Sequence, residues 1–105
     1  MTSVKDQERH IICTVRGKSA QRTRVQELLL DLVAPARAEA GCLYYDLYQN
    51  GDEPDTFYIV DGWVSGKAIE EHTVHPNVIR VVEELLPLLE VPLEVSTSLR
   101  VTENA

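Results

Sequence analysis

The order in which strand-like and helix-like patterns follow one another most strongly constrains the fold of this 105-residue chain. Residues 9–16, 41–49 and 56–64 are rich in β-branched and aromatic side chains, as strands are. Residues 93–101 alternate between apolar and polar side chains, which predicts a strand with one dry face. One helical region lies between the first two strands and another precedes the last, so the predicted order is β-α-β-β-α-β.

The first helical pattern spans residues 19–39, and Ser19 is its candidate N-cap. Its apolar side chains recur at helical spacing and form one stripe: Val25, Leu28, Leu29, Leu32, Val33 and Ala36. Pro35 lacks an amide hydrogen, so we expect the helix to kink or end near that residue. The single stripe predicts a helix that packs against one face of the sheet.

The second helical region follows the third strand. Ser65 and Gly66 open a short helix over residues 67–72, and Pro76 suits the first position of a longer helix that ends near Pro87. The apolar face predicted for the longer helix consists of Val78, Ile79, Val82, Leu85, Leu86 and Leu89. With the strands, this is the ferredoxin-like split unit, an α+β fold with an antiparallel sheet. Its helices cover one face of the sheet and leave the other for solvent or a partner.

A polar turn over residues 50–55 joins the two middle strands into a hairpin. If Tyr48 pairs with Tyr58, Tyr45 lies opposite Asp61. One face of the hairpin then carries Leu43, Tyr45, Leu47, Phe57, Ile59, Asp61 and Trp63. We expect the helices to cover this face because it is apolar apart from Asp61. A carboxylate in such a place needs a partner or a raised pKa.

The charge balance of the chain disfavours two classes of partner. The sequence has 10 Lys and Arg against 17 Asp and Glu, a formal charge of −7. Such a surface repels the phosphate backbone of nucleic acids and the headgroups of anionic membranes. No apolar run approaches the roughly 20 residues that cross a bilayer. We therefore expect a protein that binds neither nucleic acid nor membrane.

The length predicts one domain over residues 9–101, with a flexible polar segment over residues 1–8 and a tail over residues 102–105. The first segment lacks the apolar core of a signal peptide. Cys13 and Cys42 form no C-x-x-C pair, which favours two buried thiols over one disulfide. The expected location is therefore a reducing cytoplasm.

Three segments together resemble a known family. Residues 37–48 read RAEAGCLYYDLY, residues 57–63 read FYIVDGW, and His72 follows on the next helix. Their order and spacing resemble the antibiotic biosynthesis monooxygenase family, in particular its quinol monooxygenase-like branch. Asp61 stands where that family usually has Glu. The resemblance implies a dimeric α+β barrel, in which two ferredoxin-like sheets pack face to face and each subunit has a pocket between sheet and helices.

The resemblance also implies an activity. Enzymes of this family oxygenate electron-rich phenols and quinols without flavin or metal, because a deprotonated phenol is electron-rich enough to react with O₂ directly. The chemistry needs a base, a flat apolar slot and a dry cavity. We therefore expect a homodimeric, cofactor-independent monooxygenase that acts on a small aromatic quinol or phenol. Two alternatives are an isomerase of a small hydroxy-ketone and a non-catalytic dimer that binds a small molecule.

The predicted catalytic residues are His72, Trp63 and Asp61, and the predicted substrate-binding residues are Tyr45, Phe57, Ile59 and Leu43. His72 is either a base near neutral pH or a structural histidine at a helix end. Trp63 either stacks on a planar substrate or fills the core, and Tyr45 either orients a substrate oxygen or bonds to Asp61. His72 and His75 lack the glutamate and partner ligands of an H-E-x-x-H motif, so no metal site is expected.

Overall fold

A four-stranded antiparallel sheet is the frame of the molecule in the computed structural model, which describes residues 7–103. The strands are β1 (Arg9–Arg16), β2 (Cys42–Gln49), β3 (Thr56–Trp63) and β4 (Glu94–Ser98). Their order across the sheet is β2-β3-β1-β4, so β1 and β3 are central. This is the ferredoxin-like arrangement, and the predicted fold class is confirmed. Most of the predicted segment over residues 1–8 and half of the tail over residues 102–105 lie outside the described residues.

The helices within the described part of the chain pack against one face of this sheet. They are α1 (Arg22–Arg37), α2 (Gly66–Thr73) and α3 (Pro76–Leu85), with 3₁₀ turns at Ser19–Gln21 before α1 and at Leu86–Leu88 after α3. Their buried side chains form one core with the inner face of the sheet. No helix within residues 7–103 is long and apolar enough to cross a membrane.

Helix α1 includes Pro35 and ends two residues later at Arg37, so the expected end near the proline is confirmed. The missing amide of Pro35 leaves the carbonyl of Asp31 without its partner within the helix. The side-chain amide of Asn77 donates to that carbonyl over 3.1 Å. A residue of α3 therefore satisfies the group that the proline leaves free, and α1 keeps its last turn.

The start of each helix depends on a different group. The Ser65 hydroxyl accepts a hydrogen bond from the amide of Ala68 over 3.2 Å and caps α2. The imidazole Nδ1 of His75 caps α3, and Pro76 occupies the first turn as predicted. Ser19, however, is the first residue of a 3₁₀ turn and does not cap α1, so the predicted N-cap is wrong.

The hairpin has the register that its polar turn predicts. Tyr48 pairs with Tyr58, and Tyr45 lies opposite Asp61. The alternation of a strand then places Tyr45 and Asp61 on the face that the helices cover. Both side chains are buried, which confirms the predicted inner face at these two positions.

A β-bulge at the start of β2 overturns the prediction for Leu43. The register shifts between Cys42, which pairs with Trp63, and Tyr44. The extra residue reverses the alternation of the strand at this point. Cys42 consequently packs against the core, whereas the Leu43 side chain is 45% exposed. Strict alternation along β2 predicts an inward Leu43, and the bulge interrupts that alternation.

The face that α3 buries differs from the predicted apolar face. Val81 and Leu85 are its buried side chains, and Val81 was absent from the prediction. Ile79 and Leu86 belong to the predicted face but are exposed. Leu86 lies beyond the end of the α-helix, in the 3₁₀ turn, where the 3.6-residue period no longer applies.

Strand β4 is shorter than predicted and lies at the edge of the sheet. It covers Glu94–Ser98 and pairs only with β1. Leu99 and Val101, which belong to the predicted dry face, are exposed beyond its end. The strand is thus attached along one side only and leaves one flank of the core open.

Gly41 allows α2 to approach the sheet closely. A Cβ at this position would lie 2.5 Å from the Ala68 Cβ of α2 and 3.4 Å from a Val64 methyl. The Gly41 carbonyl also accepts a hydrogen bond from the Val64 amide over 2.9 Å. Because an alanine side chain has no rotamer that moves its Cβ away, any added carbon must displace backbone.

We expect Gly41→Ala to lower the free energy of unfolding by about 1–3 kcal/mol, the usual cost of overpacking. Gly66→Ala is the matched control, since a Cβ at Gly66 has no heavy atom within 4 Å. Alanine favours helix over glycine, so this control should retain or gain stability. Urea denaturation of both variants measures the difference, and equal midpoints would contradict the close approach.

Candidate active site

A cavity of about 280 Å³ lies between the inner face of the sheet and the helices. Its lining comes from all four strands and all three helices and consists of Ile11, Cys13, Val15, Leu32, Tyr45, Ile59, Asp61, Trp63, Ile69, His72, Thr73, Val78, Val82, Leu85, Leu93, Val95 and Thr97. Most of these side chains are apolar. The volume lies near the lower end of the roughly 300–1,000 Å³ that ligand pockets have, which suits a small ligand.

Asp61 and Trp63 form one hydrogen-bonded pair in the wall of the cavity. They lie two residues apart on β3, so their side chains point to the same face. The Trp63 indole Nε1 donates to Asp61 Oδ2 over 2.6 Å, and Asp61 is only 4% exposed. Burial raises the pKa of Asp61, while the indole hydrogen bond and the nearby His72 act in the opposite direction. Trp63 is therefore the partner that the isolated carboxylate requires.

His72 is held by a carboxylate that sequence reasoning missed. Its Nδ1 lies 2.7 Å from Glu39 Oε2, and both side chains are mostly buried. An ionised carboxylate only accepts hydrogen bonds, so Nδ1 is the donor of this pair. Nε2 has no partner among the described residues, and in a neutral ring it carries a free lone pair. The only sequence signal for Glu39 was its place in the segment that carries the family resemblance.

Two aromatic rings lie beside the imidazole of His72. The Trp63 and His72 ring centroids are 4.5 Å apart with the planes tilted by 38°, and those of Tyr45 and His72 are 5.8 Å apart. Within the described residues, the Tyr45 hydroxyl has no hydrogen-bond partner, so the alternative in which it bonds to Asp61 is not realised. Burial raises the pKa of Tyr45, so the phenol is neutral at physiological pH.

The predicted substrate-binding residues divide into two groups. Ile59 and Tyr45 line the cavity together with the three predicted catalytic residues. Phe57 is fully buried nearer the hairpin turn, beside a separate depression to which Gln26 of α1 contributes, and it does not line the cavity. Leu43 is turned outward by the bulge and does not line it either.

Cys13 lines the cavity as a thiol. Burial, with a smaller contribution from the charge of Asp61, raises its pKa to about 11. The thiolate is the reactive form, so this group is inert near neutral pH. Cys13 and Cys42 are both free, in agreement with the two thiols expected from their spacing.

The two neighbouring histidines have separate structural partners. His72 bonds to Glu39, while His75 Nδ1 accepts a hydrogen bond from the backbone amide of Asn77 over 3.1 Å. Among residues 7–103, no group of three or more His, Cys, Asp or Glu side chains could hold a metal ion.

Comparisons with known proteins agree on one family. The family model described as antibiotic biosynthesis monooxygenase matches residues 9–84. A Mycobacterium tuberculosis protein named "Putative monooxygenase Rv0793" is 31% identical over 86 residues, which cover 82% of this chain and 84% of that protein. Its solved structure has a TM-score of 0.89 at 26% identity and covers 93% of this chain and 99% of its own.

Two further relatives extend the comparison. The structure of PA3566 from Pseudomonas aeruginosa has a TM-score of 0.86 at 29% identity, with 91% of this chain and 96% of that chain covered. The Synechocystis protein sll1783, which is described as uncharacterized, is 30% identical over 81 residues. This match covers 77% of the present chain but only 55% of that protein, so the chain spans about half the length of this relative.

The raised pKa of Asp61 predicts how stability depends on pH. Between the unfolded pKa of about 4 and the higher folded pKa, the folded state binds more protons, so stability falls as pH rises through this window. We expect Asp61→Asn to raise the melting temperature at pH 7 and to lose that advantage below about pH 4.

Asp46→Asn is the control for this experiment, because it removes an exposed carboxylate of the same hairpin whose partner is Arg37. It should change the melting temperature little at either pH. Thermal unfolding from about pH 3 to pH 8 measures both variants. An advantage of Asp61→Asn that does not change with pH would contradict a buried, charged Asp61.

Proposed function

The chain belongs to the antibiotic biosynthesis monooxygenase family, and we propose that its cavity oxidises a small aromatic quinol or phenol with O₂ and without a cofactor. Membership in the family supports a monooxygenase-like role. The observation that carries the finer proposal is the His72–Glu39 pair at the wall of an apolar cavity. It supplies a base and a dry space, which are what an electron-rich substrate needs to react with O₂.

The proposed reaction begins with proton transfer. His72 Nε2 takes the proton of a substrate hydroxyl, and Glu39 stabilises the resulting imidazolium through Nδ1. The electron-rich anion then forms a carbon–oxygen bond with O₂ and becomes a peroxide. His72 returns its proton to the peroxide. The oxygen–oxygen bond then breaks as the carbon loses its hydrogen as a proton, one oxygen stays as a carbonyl, and the other leaves as hydroxide, which takes up that proton to form water. The substrate supplies all four electrons, so no reductant is required.

The surrounding side chains orient the substrate ring. Trp63 offers a flat wall beside His72, and its Nε1–Oδ2 bond to Asp61 holds the indole plane in place. Tyr45 has a free hydroxyl at the same wall of the cavity. Ordering a ring between these groups brings the hydroxyl of the substrate to the base, which lowers the entropic part of the barrier.

We also propose that two copies of the chain pair through the open face of the sheet. This face carries His10, Ile12, Thr14, Tyr44, Asp46, Tyr48, Tyr58 and Val60. Ile12, on the central strand β1, and Tyr48, near the hairpin end of the edge strand β2, are exposed side chains of this surface. A mixture of aromatic, aliphatic and polar groups is typical of a subunit interface.

Oxygen uptake with a panel of hydroquinones and anthrone tests the reaction. We expect one O₂ to be consumed per product and turnover to fall by about 10²–10⁴-fold in His72→Gln, the usual contribution of a general base. The control His75→Asn keeps a preferred N-cap residue on α3 and should retain activity. Wild-type activity in His72→Gln would overturn the assignment of the base. Equal product under anaerobic conditions would overturn the monooxygenase.

Sedimentation velocity tests the pairing. The wild-type chain should sediment at twice the mass of one chain, and Ile12→Glu should shift the population towards monomer by burying a charge in the interface. Leu30→Glu is the control, since Leu30 is an equally exposed aliphatic residue of α1, on the other side of the sheet. A wild-type monomer at micromolar concentration would contradict the proposal.

A further inference from the structure

We propose that the cavity selects ligands that donate hydrogen bonds and carry no negative charge, and that Asp61 enforces this selection. The inference rests on the proposed function in taking this cavity as the substrate site, but it does not depend on the reaction. It starts from the polar atoms of the cavity wall that no protein group uses.

Asp61 Oδ2 accepts from Trp63 and His72 Nδ1 donates to Glu39, so Asp61 Oδ1 and His72 Nε2 have no partner among the described residues. The hydroxyls of Tyr45 and Thr97 also line the cavity without a partner there. A carboxylate oxygen and the lone pair of a neutral Nε2 accept hydrogen bonds, whereas the two hydroxyls both donate and accept. The wall therefore complements a ligand that brings its own donors.

Within the described part of the chain, no Lys or Arg side chain lines this cavity to balance a negative ligand, and His72 is the one lining side chain that can carry a positive charge. Arg37, near the same hairpin, donates instead to the Tyr45 carbonyl and the Asp46 carboxylate on the outer side. A carboxylate or phosphate in the cavity would lie near the buried charge of Asp61 in apolar surroundings, where like charges repel more strongly than in water.

The same arrangement favours substrate over product. A quinol presents hydroxyl donors to Asp61 Oδ1 and His72 Nε2. The proposed oxygenation turns the ionised hydroxyl and the neighbouring carbon into carbonyl acceptors, so the donor that faced His72 Nε2 is lost. Tyr45 and Thr97 have the lining hydroxyls that can donate to these carbonyls, because the Thr73 hydroxyl already donates to the Glu70 carbonyl. Unpaired acceptors that face each other weaken binding, so oxidation itself would promote release of the product.

Three ligands of nearly equal shape test the selection. 4-Propylphenol carries a donor, 4-propylanisole carries an acceptor only, and 4-propylbenzoate carries a negative charge. Trp63 is the only tryptophan of the chain and lines the cavity, so its fluorescence reports binding. We expect the phenol to bind about 10-fold or more tightly than the ether, as a hydrogen bond to a charged group allows, and the benzoate to bind at least as weakly as the ether.

Asp61→Asn replaces the charge with an amide that both donates and accepts. We expect this variant to bind the benzoate more tightly than the wild type does and to lose most of the preference for the phenol over the ether. Tyr45→Phe is the control, because it removes a hydroxyl but leaves the carboxylate, and it should keep the wild-type order of the three ligands.

The outcomes separate this inference from the proposed reaction. Wild-type protein that binds the benzoate as tightly as the phenol, or that binds none of the three, would overturn the selection, as would an unchanged order in Asp61→Asn. These measurements need no O₂. If the three ligands bind in the expected order but the quinol panel consumes no oxygen, the monooxygenase proposal is overturned and the proposed ligand selection stands. If the quinols consume oxygen but the ligands do not bind in that order, the ligand selection is overturned and the monooxygenase proposal stands.

Discussion

The alternation of side chains along β3 is the constraint on which the rest of the structure depends. This central strand hydrogen-bonds to β1 on one side and β2 on the other, so its inner face cannot shift without disrupting both pairings. Phe57 and Ile59 point inward near the hairpin turn and extend the core. Asp61 and Trp63 point inward at the other end and form the polar wall of the cavity. The two-residue alternation of β3 therefore directs side chains both into the core and into the wall of the cavity.

The site opposes the stability of the fold that holds it. Burial of Asp61 raises its pKa, which means that its charge is less favourable in the folded chain than in water. The Trp63 indole and the His72–Glu39 pair satisfy individual atoms, yet acceptor atoms remain open to the cavity. A core optimised only for stability would place an apolar side chain at Asp61. Its carboxylate is better explained by what enters the cavity than by folding.

Much of the fold was predictable because its signals are local. The element order and the hairpin register follow from periodicity and from the polar turn, and both are confirmed. The errors occur where the regular period of an element is interrupted. The bulge before Tyr44 turns Leu43 outward. A 3₁₀ turn separates Ser19 from the start of α1, and another leaves Leu86 exposed after α3. The hydrophobic pattern of the sequence does not mark these interruptions.

The candidate site divides in the same way. The sequence by itself determined that Asp61 and Trp63 share a face, because they are two residues apart on one strand and a strand repeats every two residues. Only the tertiary structure brought Glu39 to His72, since 33 residues separate them and their 2.7 Å contact depends on how closely α2 approaches Gly41. Backbone geometry decides local neighbours, whereas packing between elements decides distant ones. The orientation of the His72 ring is therefore a property of the folded chain alone.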